Sequence, residues 1–415
     1  PVPRNIPLFI AFRLLFNARF YYPIFAVLQL DYGLTMAQFA ILNAVWAVSI
    51  VLLEVPSGAL ADKLGRRPMI IIASVLMILE MSLIAFVPFG NANLIFWVWV
   101  LNRILSGAAE ASASGADEAL AYDSLPKGEQ EAQWPKVLAQ LMTFSSCAFV
   151  VAMLVGGAVY DHSFLNNLLG TDFAKETVIR FPIYLTLISA LIALPISLLM
   201  KEPVTQSEDL ASDSLWTSIH KTGGWIIGTP IVFALILAAL VHDTLVRLFL
   251  TMNSEYYRLI DLPESSFGII GAGFAAMGIL MPHLARRMVE KGRLATNYLW
   301  VSIFTFLGLL GIAQAWQYYG VLVVVLFSAS FGLLNFFSSH YLNAKVDSRQ
   351  RATVLSFKGL ALNIGFGMTS LLFAALLKGV DNDFKVSLAW LAPSFLVMLL
   401  PLILFYWIKV RRPSV

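Results

Sequence analysis

The chain has 415 residues, 59% of them apolar and 13% charged, with a mean hydropathy of +0.78. A soluble domain carries about 25% charged residues, so a water-soluble globule is excluded, and a net charge of +3 gives no argument for nucleic acid. The single cysteine, Cys147, rules out an internal disulfide and a cysteine-based zinc cluster.

A helix needs about 20 apolar residues to cross the hydrocarbon core. Runs of that length predict twelve spans, near 7–29, 38–61, 68–88, 93–117, 137–160, 179–200, 229–252, 266–285, 296–316, 319–342, 353–377 and 386–408. They lack the alternating polarity of barrel strands. No cleavable leader is expected ahead of the first run. With the N-terminus inside, nineteen Lys and Arg fall in inside segments, Lys358 among them, and five in outside segments. That bias predicts cytoplasmic termini.

The first span holds "FRLLFNARFYY". An ionisable residue near a helix centre costs about 2.5–3.5 kcal/mol on insertion scales, so it needs a partner or a wet cavity. Arg13 and Asn17 are four apart and share a face, whereas Arg19 points elsewhere. Arg13 could instead snorkel to the cytoplasmic surface, and Arg19 could form an interhelical salt bridge.

Between the second and third spans lies "GALADKLGRRPM", 58–69. Gly58 and Gly65 suit a tight link between close helices. Asp62 falls near a helix start, where negative charge is favoured, and Arg66 and Arg67 anchor the loop inside. A plain positive-inside turn with a capping acid would look the same.

The fourth span spaces Arg103, Glu110 and Asp117 seven apart, beside Ser106, Gly107 and Ser114. This is either a structural ion-pair ladder or a stripe lining a cavity. After the sixth span, "KEPVTQSEDLASDSLWTSIHKT" at 201–222 is polar and acidic. It reads as a cytoplasmic linker between a bundle at 1–200 and another at 223–415. The seventh span carries "LVHDTLVRLF": Asp243 and Arg247 are four apart and can pair, and His242 beside them is a proton-site candidate. The tenth span adds Asn335 and His340.

At an offset of 228, Asp62-Lys63 meets Glu290-Lys291 and Arg19 meets Arg247, the pattern of a duplicated fold.

The 58–69 loop resembles the signature of the major facilitator superfamily, Gly-x-Leu-Ala-Asp-x-x-Gly-Arg-Arg/Lys. Gly58, Leu60, Ala61, Asp62, Gly65, Arg66 and Arg67 stand at its positions. "VEKGRL" at 289–294 sits where that family repeats the signature, and "NRILSG" with Arg103 and Gly107 is similar to its fourth-helix motif, with Ser106 in place of the usual Gln. The antiporter signature of the fifth helix is only partly present in "AFVVAMLVGG", 148–157, where Met153 replaces the proline.

The resemblance implies an all-α membrane protein with twelve transmembrane helices in two pseudo-symmetric six-helix bundles. In that family the loop latches the halves on the cytoplasmic side, with an arginine meeting an acid near the end of the fourth helix. Asp117, Glu118 or Asp123 would meet Arg66 here. The implied function is a secondary active transporter that moves a small organic solute by alternating access with proton coupling. A multidrug/proton antiporter-type exporter and a non-transporting receptor or scaffold are the alternatives. An enzyme is not expected, since no phosphate loop, nucleotide-binding glycine pattern or His-x-x-x-His spacing occurs.

Glu110, Asp243 and His242 are the proton-coupling candidates. Arg13, Asn17, Arg19, Arg103, Arg247 and Asn335 are the cavity candidates. On helical spacing Arg103 claims Glu110 and Arg247 claims Asp243, which leaves Arg13 and Arg19 short of partners, one of them to meet an anionic group of an anionic or zwitterionic solute. No catalytic residue, metal, cofactor or nucleic acid is expected. The expected setting is a monomer in the bilayer of the cytoplasmic (inner) membrane.

Overall fold

The computed structural model describes residues 3–202, 223–346 and 348–411. Those residues form helices and turns and no strand. Eleven helices among them are long and apolar enough to cross a membrane. The twelfth pass is the first predicted span, which is not one helix. It is α1 (Asn5–Asn17), a bend at 18–21, a 3-10 turn (Tyr22–Ile24) and α2 (Phe25–Asp31). Pro23 at the turn has no N–H for a continuous helix, and the Arg19 amide donates to Asn17 O instead (2.8 Å).

The chain forms two compact units, Pro1–Gln206 with Leu262–Ala275, and Ser207–Asp261 with Ala276–Val415. The stretch Leu262–Ala275 thus packs with the first unit, although the sequence assigns it to 223–415. Of the linker, only Lys201 and Glu202 are described; 203–222 lie outside the described residues.

In the first unit α3 (Met36–Leu64) opens with a capping box. Thr35 Oγ1 accepts from the Gln38 amide (3.2 Å) and Gln38 Oε1 from the Thr35 amide (2.9 Å). It closes at Gly65, whose φ of +94° only glycine adopts without strain, and α4 (Arg66–Phe86) starts there. Next come α5 (Ala92–Ala113), α6 (Ala116–Asp123), α7 (Gln130–Tyr160), α8 (His162–Leu169), α9 (Lys175–Val178) and α10 (Phe181–Leu199). Phe12, Phe16, Met69, Ile70, Met77 and Leu120 form the core between α1, α4 and α6. Lipid tails are as apolar as leucine, so helices in a bilayer associate through close packing of small residues. Gly107 shows this: a Cβ there would lie 2.6 Å from that of Ser49 on α3.

The predicted fourth span breaks at Ser114-Gly115, with Gly115 at φ +74°. Asp117 therefore sits in the first turn of α6, and the Arg103–Glu110–Asp117 stripe is not carried by one helix.

The second unit contains α11 (Pro230–Leu259), most of α12 (Ser265–Lys291), α13 (Leu294–Gln314), α14 (Val321–Lys345), α15 (Ser348–Gly379), α16 (Phe384–Ala389) and α17 (Leu391–Phe405), followed by a π-turn to Arg411. Leu235, Val301, Leu333, Phe337 and Val354 are fully or nearly buried in its core.

Candidate functional site

The 58–67 signature is no open loop but the end of α3, the Gly65 joint and the start of α4. Asp62 thus lies in the last turn of α3 and not at the helix start expected from the sequence. Polar contacts hold the signature at three points. Arg66 pairs with Asp123 and also donates to Ala119 O (2.8 Å). Of the three acids considered for Arg66, the structure thus selects Asp123. Glu202, absent from the sequence-level candidates, supplies the second point. Its two carboxylate oxygens accept from the Arg66 and Arg67 amides (2.8 and 2.7 Å), capping α4. Arg67 also donates to Leu198 O (2.8 Å). Gly58 is exposed, and the Asp62 side chain lies outside the described residues.

Within the membrane part of the first unit, the expectation that Arg13 and Arg19 lack acidic partners fails. Arg13 forms an ion pair with Asp117, donating to Oδ1 at 3.0 Å, with Glu118 at 3.7 Å. The break at Gly115 turns Asp117 toward α1, away from both Arg66 and the α5 stripe. Arg19, 5% exposed, pairs with the fully buried Glu80 of α4 and donates to the Tyr21 hydroxyl (3.1 Å). The bend at 18–21 turns it that way. Arg19 is therefore the interhelical salt bridge, and sequence spacing missed Glu80 because it belongs to a distant span.

Arg103 does not claim Glu110. Its guanidinium donates twice to Asn102 Oδ1 (2.9 and 2.7 Å) and stacks over Phe25 and Trp99. Asn102 in turn donates to Glu80 O (2.8 Å). The Glu110 side chain is half-buried and makes no hydrogen bond or ion pair among the described residues, while its carbonyl accepts from the Ser114 amide (2.9 Å). Asn17 is exposed and lines a 450 Å³ recess with Tyr22, Ser145, Ser146 and Phe149.

In the second unit the predicted Asp243–Arg247 pair is present at 2.6 Å. Arg247 also donates to Asn363 Oδ1 on α15 (3.0 Å) and stacks over Phe366. Lys358 of α15, counted in an inside segment from the sequence, lies within the apolar span Val354–Gly379 and donates to Ser338 on α14 (3.2 Å). Neither Asn363 nor Lys358 was a sequence-level candidate; a lone cation one turn inside a span was the available signal.

His242 is buried and turned away from this cluster. Its Nδ1 meets Ala238 O (2.7 Å) and its Nε2 meets Ser302 Oγ (2.8 Å). It lines a 400 Å³ apolar crevice with Leu235, Tyr298 and Trp407. Asn335 is exposed. No cluster of three metal-binding side chains occurs among the described residues.

The whole chain has solved relatives in shape. A variant of the nucleoside transporter NupG superposes with a TM-score of 0.76 at 12% identity, covering 98% of this chain and 100% of that one. A D-xylose-proton symporter gives 0.70 at 16%, covering 95% and 96%. A bacterial homologue of the human lysosomal transporter Spinster, inward-facing and unoccupied, gives 0.69 at 15%, covering 100% of both. At these identities the likeness concerns fold alone. No curated protein matches in sequence. The sequence profile of the Major Facilitator Superfamily matches residues 8–370. A match over that share of the chain, with the 58–67 signature and a twelve-pass helical fold, makes the protein a multi-pass membrane member of the Major Facilitator Superfamily.

Proposed function

We propose that the chain is a secondary active transporter, not an enzyme, moving a small organic solute across the cytoplasmic membrane by alternating access. Protons drive it, and both termini are cytoplasmic. Glu110 carries the reading. A half-buried carboxyl inside a span, with neither a cation nor a hydrogen-bond donor on it among the described residues, has to find its partner in what passes through, and a proton is such a partner. Asp243, tied to Arg247, and His242 are the corresponding candidates in the second unit. The 58–67 loop serves as the cytoplasmic latch, with Asp62 as its acid. A proton symporter among the structural neighbours supports the coupling. Export by drug/proton antiport is the second reading, favoured by the retained Gly156-Gly157 pair on α7.

Reconstitution into proteoliposomes tests this. A solute found by screening is expected to accumulate against its gradient when a pH difference is imposed. Glu110→Gln should abolish uphill accumulation and keep downhill exchange. Accumulation unchanged in Glu110→Gln removes the proton role from this residue. Binding without any flux favours a receptor.

A further inference from the structure

The two units differ in how their intramembrane charges balance. In the first, Arg13 and Arg19 each pair with an acid, Asp117 and Glu80, while Arg103, held by Asn102, and Glu110 add one charge of each sign without pairing. In the second, Arg247 and Lys358 share Asp243. Arg247 pairs with it directly, whereas Lys358 feels its charge without reaching ion-pair distance of any described acid. Ionisable groups inside a membrane pair with one another or with what passes through. Among the described residues of this cluster, one positive charge is left over.

The donors match that excess. An ammonium has three N–H groups; Lys358 commits one to Ser338, which leaves two. Arg247 is spent on Asp243 and Asn363, although its side chain keeps 24% of its surface exposed. Serine and asparagine neutralise nothing, so they orient the cations without cancelling them.

We infer that Lys358, backed by Arg247, receives a carboxylate of the transported solute. A single uncompensated charge suits a monoanion better than a phosphate dianion, and the oxyanion accepts charge-assisted hydrogen bonds from the free ammonium donors. Asp243 lowers the positive potential of the site and so keeps the anion releasable. The inference rests on the transporter reading and moves anion recognition away from Arg13 and Arg19.

The full-length protein in detergent, titrated with butyrate, lactate and benzoate and with the matching amides, is the test. Thermal stabilisation by at least one acid and by none of the amides is expected. Lys358→Gln should weaken binding of that acid by about tenfold or more, the loss of one charge-assisted contact. Lys358→Arg should restore most of it. Asp243→Asn raises the net positive charge and should tighten binding, a readout that stands even where Lys358→Gln fails to fold. Equal stabilisation by acid and amide, no response to any acid, or unchanged affinity in Lys358→Gln each overturns the assignment. Flux of the stabilising acid into proteoliposomes is a separate arm. Binding without flux sinks the transporter reading and leaves the site, whereas flux with unchanged affinity in Lys358→Gln does the reverse.

Discussion

Arg19 and Glu80 are 5% and 0% exposed, and Asn102 donates to the Glu80 carbonyl beside them. Removing one member leaves a buried charge uncompensated, which costs about 3–5 kcal/mol, while replacing both with well-packed apolar residues is often neutral. Glu80→Gln is therefore expected to lower the thermal unfolding temperature markedly. Arg19→Met with Glu80→Leu should recover most of it and retain any transport, since the pair is a frame rather than a solute contact. A double variant that stays folded and loses solute binding would give Arg19 a functional role after all. This pairing was hidden from the sequence for a plain reason. Helical spacing reports neighbours within one helix, and it found Asp243–Arg247 correctly. The partners of Arg13 and Arg19 come from other helices, and whole-chain geometry chose them.

The helices themselves were largely readable, because a bilayer demands long apolar runs. Their interruptions were not. The breaks at 18–21 and at Ser114-Gly115 fall inside the predicted runs 7–29 and 93–117, and it is these breaks that aim Arg19 and Asp117. The corner between α7 and α8 shows a different control. Burial alone would raise the Asp161 carboxyl, but amide donors at Phe164 (3.0 Å) and Ser265 (3.0 Å) hold it below the usual carboxylate range. A lowered folded pKa means that the stabilisation is complete above the unfolded value of about 3.9 and fades as pH falls through the folded value. Asp161→Ala should thus cost about 1 kcal/mol at pH 7, the usual worth of a helix cap. The gap in unfolding temperature from wild type should narrow below about pH 4. A gap that widens on acidification would contradict this.

Across the whole molecule, the distribution of Lys and Arg predicts the side on which each loop lies. Cysteine placed at Asn167, exposed in the segment after the fifth span, should react with an impermeant reagent from outside, and cysteine at Leu210, in the linker sequence, should not. The opposite pattern would invert the proposed orientation. The glycines of α7 and α12 bear on how such labelling is designed. A Cβ at Gly156 would overlap the Phe20 carbonyl, and one at Gly268 would overlap that of Met153, both backbone atoms that have no side-chain rotamer to yield. Reporter groups are themselves side chains. A cysteine, spin label or fluorophore at 156 or 268 would pry the contact open before any reading is taken. Signals from those positions would describe the wedge rather than the protein, so distance measurements on this molecule belong at exposed non-glycine sites such as Ala92 or Asn167.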